Sequence, residues 1–467
     1  VWGWPLIILI LAAGVWLTVR TGFVQVRHLG KALKFMVKNE DNGEGEVTSF
    51  GALCTALSAT IGTGNIVGVA TAICLGGPGA LLWMLLAAFF GMATKYSEGF
   101  LAIKYREKKD DSHYLGGPFY YIEKGMGSKW KWLAKLFAVF GICVGLFGIG
   151  TFTQINGIAT AVQDFFDPES AHVAFTLFGN DYTWATVIGG LVVTLCVALV
   201  VLGGIQRIAK VSEVIVPFMA IIYVVFALVI VLGHITAIPA AVKLICQSAF
   251  DPQAALGAAT GVTIKLAMQK GIGRGIFSNE AGLGSAPIAA AAAKTKDTVR
   301  QGLVTMTGTF IDTIVICTLT GLSIVVTGAQ NAFVAGSVEG VKITSRAWQT
   351  GLPWNGRFSA FVLMLCLAFF AFTTILGWNY YSERCLEYLV GSQKFTKVYR
   401  YLYILAVFIG PYLTVAAVWN IADICNGLMA FPNLIALFAL SGVVGKETRA
   451  YFAEKRHDLK AMAQDKK

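Results

Sequence analysis

Apolar segments long enough to cross a lipid bilayer follow one another along almost the whole chain, and they constrain its fold more than any other feature. A hydrocarbon core of about 30 Å requires roughly 20 apolar residues of helix. We count eleven such segments and predict an all-α membrane protein with eleven transmembrane helices. The predicted spans are residues 2–19, 50–75, 79–103, 131–163, 183–202, 212–233, 257–293, 301–328, 357–382, 400–421 and 427–445.

The composition fits this prediction. Hydrophobic residues make up 56% of the 467 residues, and the mean hydropathy is +0.68. Charged residues make up 13%, whereas soluble proteins contain about 25%. The net charge of +11 would suit nucleic acid, but the basic residues lie in short loops between apolar segments. We therefore expect contact with membrane lipid and no nucleic acid partner.

The cysteines and histidines indicate no metal or redox chemistry. Nine cysteines and five histidines form no CxxC or HxxxH pair, so we expect neither disulfides nor a site of that kind. No Ser/His/Asp grouping and no HExxH motif is present. The sequence therefore gives no reason to expect an enzyme.

Lys and Arg residues are distributed unevenly between the two sets of loops. Alternate loops and the C-terminal tail hold 29 of the 37, and the opposite loops hold four. Basic loops face the cytoplasm, so this bias places the N-terminus outside and the C-terminus inside. We expect a multi-pass plasma-membrane protein of a prokaryote, in which the first segment is a retained helix and not a signal peptide.

Two of the predicted spans are interrupted by glycine-rich stretches. Gly62-Thr63-Gly64-Asn65 lies within span 50–75, and residues 278–285 (SNEAGLGS) interrupt span 257–293. Unwound backbone is stable in a bilayer only where it lines a buried cavity. Interruptions at corresponding points of two halves point to the binding site of a secondary transporter.

The positions of the two breaks predict an internal repeat. With the first helix set aside, the breaks fall in the first and the sixth of ten helices. Because five is odd, the two five-helix units have opposite orientations in the bilayer, which is an inverted repeat. The predicted parts are an extra helix with a cytoplasmic loop, the first repeat, an external linker, the second repeat and a cytoplasmic tail. Their boundaries are 1–49, 50–233, 234–256, 257–445 and 446–467.

Four stretches of the chain resemble the alanine or glycine:cation symporter family. They are residues 76–91 (GGPGALLWMLLAAFFG), 62–66 (GTGNI), 274–282 (RGIFSNEAG) and 310–313 (FIDT). The first departs from the family pattern at Leu82 and Leu85, where an aromatic residue is usual. The resemblance implies a LeuT-type fold with broken helices two and seven. It also implies Na⁺ as the coupling ion and alanine or glycine as the substrate.

The chemistry of the breaks suggests how an amino acid would bind there. Helix N-termini suit a carboxylate, and unwound carbonyls at half-helix C-termini suit an ammonium group. The predicted substrate-binding residues are Thr63, Gly64, Asn65, Gln154, Phe277, Ser278 and Trp378. The alternatives are tight packing for the glycines and Trp378, and an interhelical hydrogen bond for Gln154.

Two cation sites are expected from the resemblance to the LeuT-type pattern. Na⁺ is a hard cation that favours oxygen ligands. In the first site, carbonyls near Ser58 and Ile61 would join the hydroxyl groups of Thr373 and Thr374. Hydroxyl groups that bond back to their own helix are the alternative. A possible second site would use Thr60, Asn65 and Asp312.

Two carboxyl groups within the spans leave alternatives open. A carboxylate at the centre of a bilayer costs roughly 2.5–3.5 kcal/mol on insertion scales, so each should have a partner. Asp312 either binds a cation or pairs with Lys270 or Arg274. Glu280 either meets the substrate ammonium group or caps the half-helix that follows it.

Glu98 lies near the predicted inner end of the third helix, three residues after Lys95. Residues three apart lie on the same side of a helix. We therefore expect a local ion pair between them.

The leading functional hypothesis is Na⁺-coupled symport of a small neutral amino acid into the cell by alternating access. One alternative is a proton-coupled amino-acid transporter on the same scaffold, with Asp312 or Glu280 as the titrating group. Another is an amino-acid receptor that does not transport. A channel is disfavoured because its filter repeats once per subunit, whereas this chain has two dissimilar breaks.

Overall fold

The computed structural model describes residues 3–38, 43–109, 113–177, 179–251, 262–332 and 340–464. Most of these residues are helical. Among them, seven apolar helical segments are long enough to cross a membrane, with residues 128–166 counted as one segment, or eight if the bent pair Ser49–Thr60 and Gly64–Gly76 forms one span. The predicted eleven spans therefore include several that do not meet this criterion.

The helices are numbered here in chain order. The first part of the chain contains α1 Trp4–Arg20, α2 Val24–Arg27, α3 Leu29–Val37, α4 Ser49–Thr60, α5 Gly64–Gly76, α6 Ala80–Tyr105, α7 Lys131–Phe147, α8 Phe152–Phe166, α9 Trp184–Val201 and α10 Ile205–Gly233. The second part contains α11 Ile238–Phe250, α12 Ile264–Asn279, α13 Ala286–Ala290, α14 Thr298–Val326, α15 Gly340–Gly351, α16 Gly356–Val390, α17 Thr396–Ile409 and α18 Val415–Gln464.

Short elements connect these helices. Strands β1 Glu107–Lys108 and β2 Tyr114–Leu115 form one antiparallel hairpin, and β3 Val173–Leu177 and β4 Asn180–Thr183 form another. Single helical turns occupy Pro118–Tyr120, Tyr121–Gly125, Ser128–Trp130, Ile235–Ala237, Ala329–Ala332, Gln393–Phe395 and Gly410–Tyr412. The predicted linker 234–256 thus contains α11, and the loop between the eighth and ninth predicted spans contains α15. Residues 252–261, which include the start of the predicted seventh span, and 333–339 lie outside the described part of the chain.

The helices differ in how deeply they lie within the bundle. In the most apolar 18-residue window of each helix, 67% of the residues are buried in α6 and α16, against 28% in α9 and 33% in α10. Large apolar side chains such as Leu195, Leu199 and Ile221 are exposed on α9 and α10. The hydrophobic side chains on these two helices therefore suit contact with lipid, whereas α6 and α16 form the centre.

Small residues allow α6 to pack closely against α14. A Cβ atom added to Gly99 would lie 2.4 Å from the Thr305 hydroxyl oxygen, and one added to Gly302 would lie 2.8 Å from the carbonyl oxygen of Tyr96. Close backbone approach at small residues is the usual means by which membrane helices associate. This contact fixes α6 beside the helix that carries Asp312.

The predicted boundary between the last two spans is wrong. The predicted loop is 422–426, whereas the observed connection is 410–414. Pro411 lacks a backbone N–H and cannot continue α17. Asn420 and Asp423, which lie at the predicted boundary, are within α18, and this helix also continues through the described part of the predicted tail.

The predicted span 131–163 is not one continuous helix. It consists of α7 and α8, which are separated by residues 148–151. A Cβ atom on Gly150 would lie 2.7 Å from the Cβ atom of Trp378, so the chain bends where α16 approaches it.

Candidate functional site

The first break lies slightly earlier than the glycine motif alone indicated. α4 ends at Thr60, α5 begins at Gly64, and the axes of the two helices differ by 52°. A Cβ atom on Gly62 would lie 2.5 Å from the Thr374 hydroxyl oxygen, and one on Gly64 would lie 3.0 Å from the Cα atom of Ser278. Glycine is therefore required here because α16 and α12 approach the backbone closely.

The second break is a turn at residues 280–285, between α12 and α13. Glu280, Gly282 and Gly284 have φ values of +56°, +91° and +81°, a conformation that glycine adopts without strain. The amide of Ala281 donates to Asn279 Oδ1 at 2.9 Å. Side chains thus replace part of the hydrogen bonding that a continuous helix would supply.

The two breaks meet at Asp312 on α14. Its carboxylate accepts hydrogen bonds from Asn65 Nδ2 at 2.7 Å, from the Ser278 hydroxyl at 3.0 Å and from the Thr313 hydroxyl at 2.7 Å. All four side chains are buried. Asn65 and Asp312 each lie within a π-helical turn, a distortion that often occurs at functional sites. The structure therefore brings together three predicted site residues from three separate helices.

The predicted alternative partners of Asp312 lie elsewhere. Arg274 Nη1 is 3.4 Å from Asp423 Oδ1, and its guanidinium lies over the Trp419 ring at 4.2 Å. In the described segments, no Lys, Arg or His nitrogen lies within 4 Å of the Asp312 carboxylate. The carboxylate is thus surrounded by neutral donors, and pairing with Arg274 is excluded in this conformation.

The predicted first cation site is partly assembled. The Thr374 hydroxyl lies 3.2 Å from the carbonyl oxygen of Ile61, and α16 approaches the Ser58 hydroxyl at Gly377. Both hydroxyl groups also bond back to α16, Thr374 to the Phe370 carbonyl at 2.9 Å and Thr373 to the carbonyl groups of Phe369 and Phe370. Of the two, Thr374 is the one that also contacts the first break, which favours it as a side-chain ligand there.

The set predicted for a second cation site is also partly assembled. Asn65 and Asp312 are in direct contact, whereas the Thr60 hydroxyl donates back to the carbonyl groups of Ala56 and Leu57. The hydroxyl hydrogen of Thr60 is thus used within its own helix, whereas the lone pairs of its oxygen atom are still available to a cation.

Two amides of the first break already have partners. The amide of Thr63 donates to Gln154 Oε1 at 3.0 Å, and the amide of Gly62 donates to Asn65 Oδ1 at 2.9 Å. The expectation that these amides face an open site is therefore wrong for this conformation. Gln154 lies at the break as predicted, but it contacts the backbone. The Thr63 hydroxyl is buried and makes no hydrogen bond within the described residues.

A cavity of about 330 Å³ reaches the first break. Its walls include Thr63, Thr153, Asn156, Lys342 and Trp419. The cavity therefore brings mixed polar and apolar surface to the buried Thr63 hydroxyl, which suits a small zwitterion.

Phe277 and Trp378 are not among the residues that line this cavity. Phe277 packs against Trp419, with the ring centroids 4.8 Å apart. Trp378 Nε1 donates to the Glu280 carboxylate at 2.8 Å, so this side chain supports the second break. Glu280 also accepts a hydrogen bond from Ser285, the N-cap residue of α13. Glu280 was expected either to meet the substrate ammonium group or to cap the half-helix that follows. Its contact with Ser285 at the start of α13 favours capping.

The predicted ion pair between Glu98 and Lys95 is wrong. Glu98 Oε1 accepts hydrogen bonds from the amides of Gly282 and Gly284, each at 3.2 Å, and from Asn433 Nδ2 at 2.8 Å. Lys95 Nζ makes no hydrogen bond within the described residues. Glu98 thus holds the second break from α6, a role that its position within an apolar span could have suggested.

A polar network closes the end of the bundle that the basic loops occupy. His113 lies 3.2 Å from Glu46 and 2.8 Å from Glu387, and Arg384 bonds the same two carboxylates at 3.1 and 2.9 Å. The hydrogen bonds to Glu387 and Glu46 raise the pKa of His113 to about 9. The sequence did not predict this network, because its members come from two separate loops and from α16.

These features define a class. Long apolar helices identify a multi-pass membrane protein, and a cavity that reaches an interrupted helix beside a buried carboxylate is typical of a transporter. The chain matches the model of the sodium:alanine symporter family over residues 1–466. It therefore belongs to that family, as the sequence resemblance predicted, and the family consists of transporters and not enzymes.

Individual relatives agree with this assignment. The chain is 54% identical to an uncharacterized transporter of Haemophilus influenzae, over 97% of this chain and 94% of the relative. It is 46% identical to the sodium/alanine symporter AgcS of Methanococcus maripaludis, over 98% and 97%. The fold is similar to that of MhsT, solved in complex with L-phenylalanine, with a TM-score of 0.57 at 11% identity. That match covers 87% of this chain and 99% of MhsT, and it supports a LeuT-type fold.

Proposed function

We propose that this protein carries alanine or glycine into the cell together with Na⁺ by alternating access. Its family and its similarity to a protein named a sodium/alanine symporter support this proposal. The observation that carries it is the buried Asp312 carboxylate, which neutral donors on Asn65 and Ser278 hold where the two breaks meet. A buried carboxylate in this setting requires a compensating positive charge, which a transported cation supplies.

The proposed substrate site lies between the first break and the cavity. The Thr63 hydroxyl, which makes no hydrogen bond within the described residues, is available to the amino acid. The backbone amide of Thr63 now donates to Gln154, and it could donate to a substrate carboxylate instead. Exchange of Gln154 for the substrate carboxylate would leave the Thr63 amide paired in both states. Gly64, Asn65 and Ser278 then form the deeper wall.

The proposed first Na⁺ site uses the carbonyl groups of Ser58 and Ile61 and the hydroxyl groups of Thr373 and Thr374. The 3.2 Å contact between Thr374 and Ile61 supports it, because both oxygen atoms are already adjacent. The proposed second cation site uses Thr60, Asn65 and Asp312. Oxygen ligands of this kind suit a hard cation.

The topology proposed for this mechanism is the one that the sequence predicts. Eleven spans, two of them broken, form an extra helix and two inverted repeats at 50–233 and 257–445. The N-terminus lies outside a prokaryotic plasma membrane, and the C-terminus lies in the cytoplasm. The basic loops, which lie at the same end of the bundle as His113, support that orientation, because positively charged loops remain in the cytoplasm.

Uptake of labelled alanine into proteoliposomes tests the proposed function. An inward Na⁺ gradient at equal pH on both sides is expected to drive accumulation, and replacement of Na⁺ by choline is expected to abolish it. Accumulation that follows a proton gradient without Na⁺ would instead support the proton-coupled alternative. Alanine binding without uptake under either gradient would indicate a receptor. Competition by unlabelled glycine measures the substrate range.

A further inference from the structure

Lys95 is a buried lysine that has no part in the sites described above. It lies in α6, its side chain is 2% exposed, and its ammonium nitrogen makes no hydrogen bond within the described residues. A buried charge without a hydrogen-bond partner is costly. Ionisable residues within membrane spans therefore usually have a function.

Lys95 lies on the side of α6 that packs against the second break and α14. Cβ atoms added to Gly91 and Gly99, about one turn before and one turn after Lys95, would lie 2.9 Å from the Cβ atom of Ala281 and 2.4 Å from the Thr305 hydroxyl oxygen. Glu98 is on the same helix, Glu280 precedes Ala281, and Asp312 follows Thr305 by about two turns of α14, so the charge of Lys95 acts on all three buried carboxyl groups. Glu98 and Glu280 belong to the second break, whereas Asp312 belongs to the proposed cation site. The lysine thus lies between the two acidic regions.

Each of these carboxyl groups is already held by neutral donors. Glu98 accepts hydrogen bonds from two backbone amides of the second break, and Glu280 accepts one from the Trp378 indole N–H. Asp312 accepts hydrogen bonds from the Asn65 and Ser278 side chains. Lys95 therefore compensates their charge from a distance and is not fixed to one partner. Small movements of its ammonium group can change which carboxylate it stabilises most.

We propose that Lys95 is a tethered cation that competes with the transported cation for the negative charge at Asp312. This inference rests on the proposed Na⁺ coupling. When the cation site is empty, the ammonium group compensates Asp312; when the site is filled, it is repelled toward Glu98 and Glu280. Glu98 accepts hydrogen bonds from the amides of Gly282 and Gly284. A shift of the ammonium group toward Glu98 therefore changes the electrostatic environment of the second break when the cation site is filled.

Removal of the lysine charge should strengthen cation binding. Two like charges within about 10 Å repel appreciably in a protein interior, so Lys95→Met is expected to lower the half-saturating Na⁺ concentration by about tenfold. Lys95→Arg keeps the charge and is expected to stay close to wild type. A lysine with only a structural role would change stability and leave the half-saturating concentration unaltered.

Binding of radioactive Na⁺ to the purified full-length protein at fixed pH tests this inference. Lys104→Met is the matched control, because Lys104 lies on the same helix but pairs with Glu447 at its exposed end. We expect tighter Na⁺ binding in Lys95→Met and no change in Lys104→Met. Lys95→Gln is a second neutral variant in case Lys95→Met does not fold.

The outcomes separate this inference from the proposed function. Absence of Na⁺ binding to the wild type would overturn the proposed Na⁺ coupling itself. Na⁺ binding by the wild type with an unchanged half-saturating concentration in folded Lys95→Met would overturn the role of Lys95 alone. Failure of both neutral variants to fold would assign the lysine a structural role and would equally overturn the inference.

Discussion

Asn65 Nδ2 donates a 2.7 Å hydrogen bond to the carboxylate of Asp312, which lies 247 residues further along the chain. The same side chain accepts a hydrogen bond from the amide of Gly62 through its Oδ1 atom. One asparagine therefore caps the first break and fixes it to α14. Both ends of its amide group are used, so no other side chain of similar size can replace it fully.

Asn65→Ala is expected to reduce alanine uptake by about 100-fold or more. The substitution leaves the Gly62 amide and the Asp312 carboxylate without a buried partner, and each loss costs about 1–3 kcal/mol. Uptake into proteoliposomes under an inward Na⁺ gradient measures the effect. Asn355→Ala removes an N-cap of α16 at an exposed position and serves as the control with unchanged uptake. Normal uptake by Asn65→Ala would remove this residue from the site.

Gly62→Ala is expected to abolish uptake, whereas Gly68→Ala is expected to leave most of it. The new Cβ atom at position 62 would lie 2.5 Å from the Thr374 hydroxyl oxygen, but at position 68 its nearest neighbour would be 4.0 Å away. Overpacking of this kind costs about 1–3 kcal/mol and displaces the groups that meet at the break. Uptake, normalised to the amount of folded protein, measures the contrast. Equal activity of the two variants would contradict the assigned close approach.

Asp312→Asn is expected to raise the half-saturating Na⁺ concentration by about tenfold or more, since a nearby unit charge is lost. The amide keeps most of the volume of the side chain, so the bundle should still pack. Na⁺ titration of alanine uptake at constant pH gives the value. If Asp312 carried a proton in place of a cation, the variant would lose its response to pH while its Na⁺ dependence stayed unchanged.

The two neighbouring threonines should respond differently to the same substitution. Both hydroxyl groups bond back to their own helix, but of the two the Thr374 hydroxyl also contacts the Ile61 carbonyl of the first break. We therefore expect Thr374→Val to raise the half-saturating Na⁺ concentration severalfold and Thr373→Val to raise it less. Each variant is the steric control for the other. The reverse order would show that Thr373 turns toward the ion when it binds.

The sequence predicted much of the large-scale organisation because it depends on composition along the chain. Long apolar segments predicted a multi-pass membrane protein, and the first glycine motif located the bend between α4 and α5. The resemblance to the sodium:alanine symporter family, based on a few short motifs, is confirmed by the family match over residues 1–466. The Asn65–Asp312 contact was also anticipated as part of one cation site.

The individual contacts were harder to predict because they depend on how each helix is rotated. Glu98 lies three residues after Lys95, which suggested a pair, but the rotation of α6 directs its carboxylate to the amides of Gly282 and Gly284. Trp378 on α16 likewise bonds to Glu280, which directly follows α12. Spans that are apolar on all sides carry no periodicity that would show which face meets the centre.

The network around His113 should make stability depend on pH. The pKa of His113 rises from 6.5 to about 9 in the folded protein because its ring bonds to Glu387 and Glu46. A raised pKa means that the stabilisation is fully present below pH 6.5 and is lost as the pH rises through about 9. His113→Gln is therefore expected to melt at a lower temperature than the wild type at pH 6, with a difference that shrinks above pH 9. Thermal unfolding of the purified protein across this range measures it. His172→Gln, at a side chain that is 79% exposed, is the control. A melting-temperature difference that is constant across this pH range would show that the His113 ring contributes by packing and not by its charge.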